Sequence, residues 1–161
     1  MIEDAELIQG KSVGDLGREA LWYFLHTLFA ILILAAVAGT MYTMQLPQDS
    51  TNVKLAGIGL AFLIPMIGGF FITKIQKNPV SGYVWISGVI LFAVVCVWVL
   101  DLPTGPGLCE DCGALRKLSR TFFEINNGSG LMGGDGLLVG TLLPLSIIGY
   151  SFGAKLAIGT E

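Results

Sequence analysis

Charge is the scarcest thing in this sequence. Asp, Glu, Lys and Arg together make up 13% of its 161 residues, about half the share usual in a water-soluble domain. Hydrophobic residues make up 53%, and the mean hydropathy is +0.74. A domain built to be covered by water is excluded, and lipid is the expected surrounding. The balance of 9 basic against 12 acidic residues, a net charge of −3, also excludes nucleic acid as a partner, because that partner demands clustered Lys and Arg to displace counterions. With three cysteines there are too few for a disulfide scaffold, and Cys96 lies inside an apolar run. Internal repeats and low-complexity tracts are absent. A positive N-terminal signal is missing too: Met1 to Glu6 is acidic, and the first apolar run is longer than a signal core and has no small-x-small cleavage site, so it is expected to stay as a span.

What remains is long and apolar. No charged side chain occurs over 20–44, 55–73, 79–100 or 137–154. Each run has roughly the 18 or more residues needed to cross about 30 Å of hydrocarbon at 1.5 Å per residue. In lipid each segment must satisfy its own backbone, which favours helices over the alternating ten-residue strands of a barrel. The expected fold is therefore all-α: a single polytopic membrane domain over 1–161, with four transmembrane helices and one long extramembrane loop, 101–136. The last span is the shortest of argument, since it carries Pro144, Gly140, Gly149 and Gly153, and a re-entrant segment is its alternative. Trp22, Tyr23, Tyr42, Tyr83, Trp85 and Trp98 lie at span borders, as interfacial belts do. An internal N-terminus puts Lys11, Arg18, Lys74, Lys77 and Lys155 inside and Lys54, Arg116, Lys117 and Arg120 outside. The last three are far from both flanking spans and count for less, so both termini are expected in the cytoplasm. The short connections 45–54 and 74–78 make successive spans antiparallel neighbours.

The spans themselves lack ionisable groups near the midplane, where pumps, proton relays, voltage sensors and coupled transporters carry them, and active transport is disfavoured on that ground. They also lack the nucleophile, base or metal-ligand constellation of an intramembrane hydrolase. No catalytic residue, cofactor or metal site is expected, and the chain is read as a non-enzyme. His26, the sole histidine, sits about two turns into the first span. It has no second axial ligand for a haem or chlorophyll, and a hydrogen bond to a neighbouring helix or a headgroup is its expected role.

The one chemical motif is Cys109-Glu-Asp-Cys112-Gly113. Two thiols at this spacing can close a disulfide or supply half of a tetrahedral zinc site. A structural disulfide that ties down the loop ranks first, ahead of incidental thiols, a half-site for metal and redox catalysis. A four-span chain with a cysteine pair in an outside loop resembles the membrane disulfide-generating quinone reductases and the vitamin K epoxide reductase relatives. The resemblance covers the span count and this one motif. It implies thiol–disulfide exchange at Cys109 and Cys112, but those families relay electrons through a second pair, and here the only other thiol is Cys96.

The loop also holds a short amphipathic pattern over 114–125, with Ala114, Leu115, Leu118, Phe122 and Ile125 on one face and Arg116, Lys117, Arg120 and Glu124 opposite. Packing against the span ends is its first expected role and partner binding its second, with Arg116, Lys117, Arg120 and Phe122 as the candidate surface. Asn126-Asn-Gly-Ser-Gly130 and Gly133-Gly-Asp-Gly136 are turn-formers. They do not make a phosphate loop, because no lysine follows the glycines and no strand precedes them. Asn127 opens a glycosylation sequon, and Asp135 is expected to cap the following helix rather than bind a cation. Gly57 and Ala61, and Gly149, Gly153 and Ala157, recur at four-residue spacing and are candidates for close helix packing, within the bundle or between copies. Pro65 with Gly68-Gly69 is expected to loosen the second span.

Together these features suggest a non-enzymatic integral membrane subunit in a bacterial, archaeal or eukaryotic membrane. It would associate with itself or anchor partners, a cytoplasmic protein among them, and use 101–136 as its recognition or sensing surface. A homo-oligomeric pore gated by dewetting is a second reading, and a thiol-exchange protein using Cys109 and Cys112 is a third.

Overall fold

A computed structural model describes residues 13–44, 51–106, 108–124, 131–132 and 136–159. Among these residues there are five α-helices: α1 (Val13–Thr43), α2 (Thr51–Ile75), α3 (Trp85–Asp101), α4 (Ala114–Phe122) and α5 (Leu143–Gly159). A 3-10 turn, Pro79–Tyr83, leads into α3, and one π-helical turn, Leu138–Leu142, leads into α5. The described residues form no strand. Among the described residues four helices are long and apolar enough to cross a membrane: Gly14–Thr43, Thr51–Ile75, Pro79–Asp101 and Leu138–Gly159. This is the pattern of an integral membrane protein. The segment read as the weakest span is a continuous helix of 22 residues. Lys11, Ile125, the sequon at Asn127, the turn Asn126–Gly130 and the capping position Asp135 lie outside the described residues.

Each helix runs past the uncharged run that announced it. In α1, Asp15, Arg18 and Glu19 belong to the helix, and Lys54 stands in the first turns of α2. Helix continues there because its hydrogen bonds are internal and do not depend on the solvent, whereas the apolar criterion stops at the first charge. Between α2 and α3 the stop is sharper. Asn78 accepts a hydrogen bond from the Val80 N–H at 3.1 Å and Pro79 follows as the first residue of the turn, an arrangement suited to starting a helix.

The bundle is organised around α5. Half of its apolar window (50%) is buried inside the protein, against 17 to 22% for the other three spans. It lies most closely on α2, and glycine sets the approach: a Cβ on Gly153 would overlap the Met66 carbonyl, one on Gly149 would lie 2.5 Å from the Phe62 carbonyl oxygen, and one on Gly69 would overlap the Tyr150 carbonyl. Gly57, Ala61 and Ala157 are buried as well. Where lipid is as apolar as leucine, helices gain by dispersion contact at short range, and only small residues permit it. Pro65 is buried inside α2, where it removes the N–H that would reach the Ala61 carbonyl.

The long connection between α3 and the last span is fastened to this bundle by α4. Phe122 enters a cluster with Val95 and Val99 of α3, its ring 5.7 Å from that of Phe92. Its main-chain carbonyl accepts a hydrogen bond from Thr141 Oγ1 at 2.7 Å, and its ring fills the space that Gly140 leaves open. The π turn serves that contact. Pro144 has no N–H for the Gly140 carbonyl, and the Leu143 N–H reaches back five residues to Leu138.

The face that α4 turns inward differs in part from the expected one. Phe122 and Leu118, on the face expected to pack, do pack, although Phe122 was also a candidate partner contact; but Lys117, expected on the polar face, is only 5% exposed, and Leu115, expected to pack, is 85% exposed. The cause is the end of α3. Lys117 Nζ donates to the Leu100 carbonyl at 2.8 Å and to the Leu102 carbonyl, groups left without intrahelical donors and carrying the negative end of the helix dipole. A cation that caps a neighbouring helix outweighs the amphipathic pattern of a nine-residue helix.

Candidate functional site

The connection between α3 and the last span is built on a tight turn. Gly105 and Leu108 exchange backbone hydrogen bonds at 2.8 and 3.2 Å, and the Cys112 N–H donates to the Cys109 carbonyl at 3.2 Å. Cys109 and Cys112 are at disulfide distance, with Sγ atoms 2.04 Å apart. Within the turn Cys109 (φ 58°) and Asp111 (φ 56°) occupy the left-handed region, which Asp tolerates but which opposes a cysteine. Gly113, extended and at the N-terminal cap position, passes the chain directly into α4. Cys109 is buried and Cys112 half-buried, so the pair faces the protein more than the surroundings.

Beyond the turn, Arg116 is exposed, and Arg120 Nε lies 2.8 Å from Glu124 Oε2 in a half-exposed ion pair. Leu115 and, at 59% exposure, Phe123 point away from the bundle. The candidate surface therefore consists of Leu115, Arg116, Arg120 and Phe123, with Glu110 and Asp111 on the adjoining turn. Leu115 and Phe123 were absent from the expected surface, because the heptad-like pattern assigns Leu115 to the packed side. Only the position of Lys117 relative to the end of α3 reveals the rotation.

A second polar cluster lies within the bundle, at the opposite end from the cysteines. His26 Nδ1 is 2.7 Å from Tyr150 Oη, which makes the neighbouring helix α5 the partner of the sole histidine. The imidazole also lies 6.0 Å from the Trp22 ring, and its Nε2 is buried with no hydrogen-bond partner among the described residues. Around this pair, Tyr23 Oη accepts from Ser87 Oγ at 2.6 Å, Ser146 Oγ donates to the Ala30 carbonyl at 3.1 Å, and Ser151 Oγ donates to the Gly82 carbonyl at 2.7 Å. Thr73 Oγ1 donates to Ser81 Oγ, which donates in turn to the Asn78 carbonyl. Apart from the bond from Ser81 to Asn78, which is local to the turn, these bonds join a hydroxyl to a hydroxyl or carbonyl of another element, and they hold the helices in register. The spacing of Ser146, Tyr150 and Ser151 in an apolar run was the available signal for this cluster.

The sites that chemistry would use stay apart. Cys96 packs beside the Phe122 cluster in α3, and His26 is at the other end of the bundle. Among the described residues no group of three or more His, Cys, Asp or Glu is arranged to hold a metal ion. The small residues Gly57, Ala61, Gly149, Gly153 and Ala157 lie buried in α2 and α5. Known families, curated proteins and solved structures offer no significant match to this chain.

Proposed function

We propose that this protein is a non-enzymatic membrane subunit that anchors a partner protein through the outer surface of α4 and the cysteine turn. One observation carries the reading: α4 is fastened from beneath, by Lys117 on the α3 carbonyls and by Phe122 against α3 and the π turn, while Leu115 and Phe123 stay exposed. A rigid element with apolar side chains beside an arginine has the composition of a partner-binding patch. Closing Cys109 to Cys112 would stiffen the approach to that element, a structural use of the pair. Thiol exchange is less well supported, because Cys109 is 4% exposed and Cys96 has no second thiol with which to form a relay.

In this reading the termini are cytoplasmic and α4 faces the other side. The small residues Gly149 and Gly153 pack inside the chain, so contact between copies would use the exposed apolar sides of α1, α2 and α3. Photo-crosslinking from position 115 in native membranes, followed by affinity capture and identification, tests the proposal. A discrete cross-linked protein, lost in Leu115→Glu while the variant still purifies folded, is the expected result. A protein that remains monomeric and uncross-linked at positions 115, 116 and 123 overturns it.

A further inference from the structure

The end of the bundle away from the cysteines carries a groove whose chemistry matches a lipid. There the turn Pro79–Tyr83, the start of α3 and the last turns of α5 meet, tied by the bond from Ser151 Oγ to the Gly82 carbonyl. Gly82 allows the Lys155 stem to lie across the turn, with Cγ 3.2 Å from where a Cβ would be. Its ammonium is thereby held 6.0 Å from the ring centroids of both Tyr83 and Trp85. Below it a cavity of about 150 Å³ is lined by Trp85, Ile148, Ser151, Phe152 and Lys155.

Two independent features point to one class of ligand. The first is charge at a defined depth: a cation held at the level of interfacial aromatics, where phosphodiesters lie. Among the described residues no carboxylate is within salt-bridge distance of Lys155. The carboxylates at this end of α1 are Asp15, which faces Arg18 at 3.9 Å, and Glu19. Lys74 and Lys77 line the adjoining depression with Ile158, which also touches the Gly82 corner. The second feature is an apolar track. Ile148, Phe152 and Lys155 share one side of α5 and span about 10 Å at 1.5 Å per residue, the length of the upper part of an acyl chain. α5 is otherwise the most buried span, and this strip is one place where it reaches the outside.

We propose that this groove binds one anionic glycerophospholipid, its phosphodiester at Lys155 between Tyr83 and Trp85 and one acyl chain along Ile148 and Phe152. The full chain in mild detergent, loaded with equal amounts of phosphatidylglycerol and phosphatidylcholine and read by native mass spectrometry, is the test. Retention of phosphatidylglycerol exceeds that of phosphatidylcholine by about fivefold, which corresponds to the roughly 1 kcal/mol that a lysine gains beside an anionic membrane surface. Lys155→Gln brings the ratio close to one. Lys155→Arg and Lys54→Gln, the latter at the other end of the bundle, preserve it. Phe152→Ala lowers retention of both lipids severalfold. Equal retention by the unaltered protein, a preference that survives Lys155→Gln, or displacement of the bound lipid by inorganic phosphate overturns the proposal.

Discussion

The third and fourth spans obey opposite rules. α3 is the more apolar helix and is anchored by aromatic residues at both ends, yet only 22% of its window is buried, and Val89, Ile90, Val94 and Val97 face outward. α5 carries a proline, several glycines, two serines and a tyrosine, and it is the helix around which the others pack. In water the apolar helix would be central and the polar one peripheral. In lipid the large apolar side chains lose nothing by facing outward, while the small residues and hydroxyls of α5 gain their contacts from other helices. The features that weaken α5 as a free-standing span are those that make it the hub.

That contrast can be broken at single positions, and the largest effect is expected at Gly153. A side chain there meets the Met66 carbonyl and the Phe70 backbone, neither of which can yield without moving α2. Gly153→Leu should cost roughly 3 kcal/mol or more and leave little monodisperse protein in mild detergent. Gly59→Leu, where nothing lies within 4 Å, should purify normally. Equal yields from the two would remove the basis for calling α5 the core.

Next in size is Lys117→Met, which leaves the Leu100 and Leu102 carbonyls without their charged donor. A loss of about 2 kcal/mol is expected, confined to the α4 end of the bundle and seen as faster hydrogen exchange of the α4 amides. Unchanged exchange would mean that Phe122 alone secures the helix. Tyr150→Phe removes the partner of His26 Nδ1 and should lower thermal stability by about 1 kcal/mol. A larger loss would indicate that the cluster does more than hold α1 against α5. The smallest effect belongs to Val94→Ala on the outer side of α3, expected within about 0.5 kcal/mol because lipid refills the space. A core-sized loss there would show that this side is covered by protein in the membrane.

Much of this architecture was legible in the residues. Uncharged runs over 20–44, 55–73, 79–100 and 137–154 correspond to the four long helices, because backbone satisfaction in lipid leaves few other structures. Their true ends were less legible, since Asp15, Arg18 and Glu19 extend α1 without interrupting its hydrogen bonds. The four-residue spacing of Gly149, Gly153 and Ala157 pointed to close packing but not to its partner, which the carbonyls of Phe62 and Met66 identify. At the candidate surface, the pattern located the amphipathic helix and the packing of Leu118 and Phe122 but put Leu115 and Lys117 on the wrong sides. The deciding contact joins Lys117 to backbone 15 and 17 residues earlier, and carbonyls carry no sequence signal. His26 and Tyr150, 124 residues apart, met for the same reason: burial in a bundle follows from three-dimensional neighbours rather than from hydropathy.

A tryptophan scan of α3 and α5, read as folded and monodisperse yield in mild detergent, tests the central claim most directly. The account predicts that tryptophan is accepted at Val89, Val94 and Val97 and refused at Ser146, Gly149, Gly153 and Ala154. Acceptance along α5 together with refusal along α3 would contradict it.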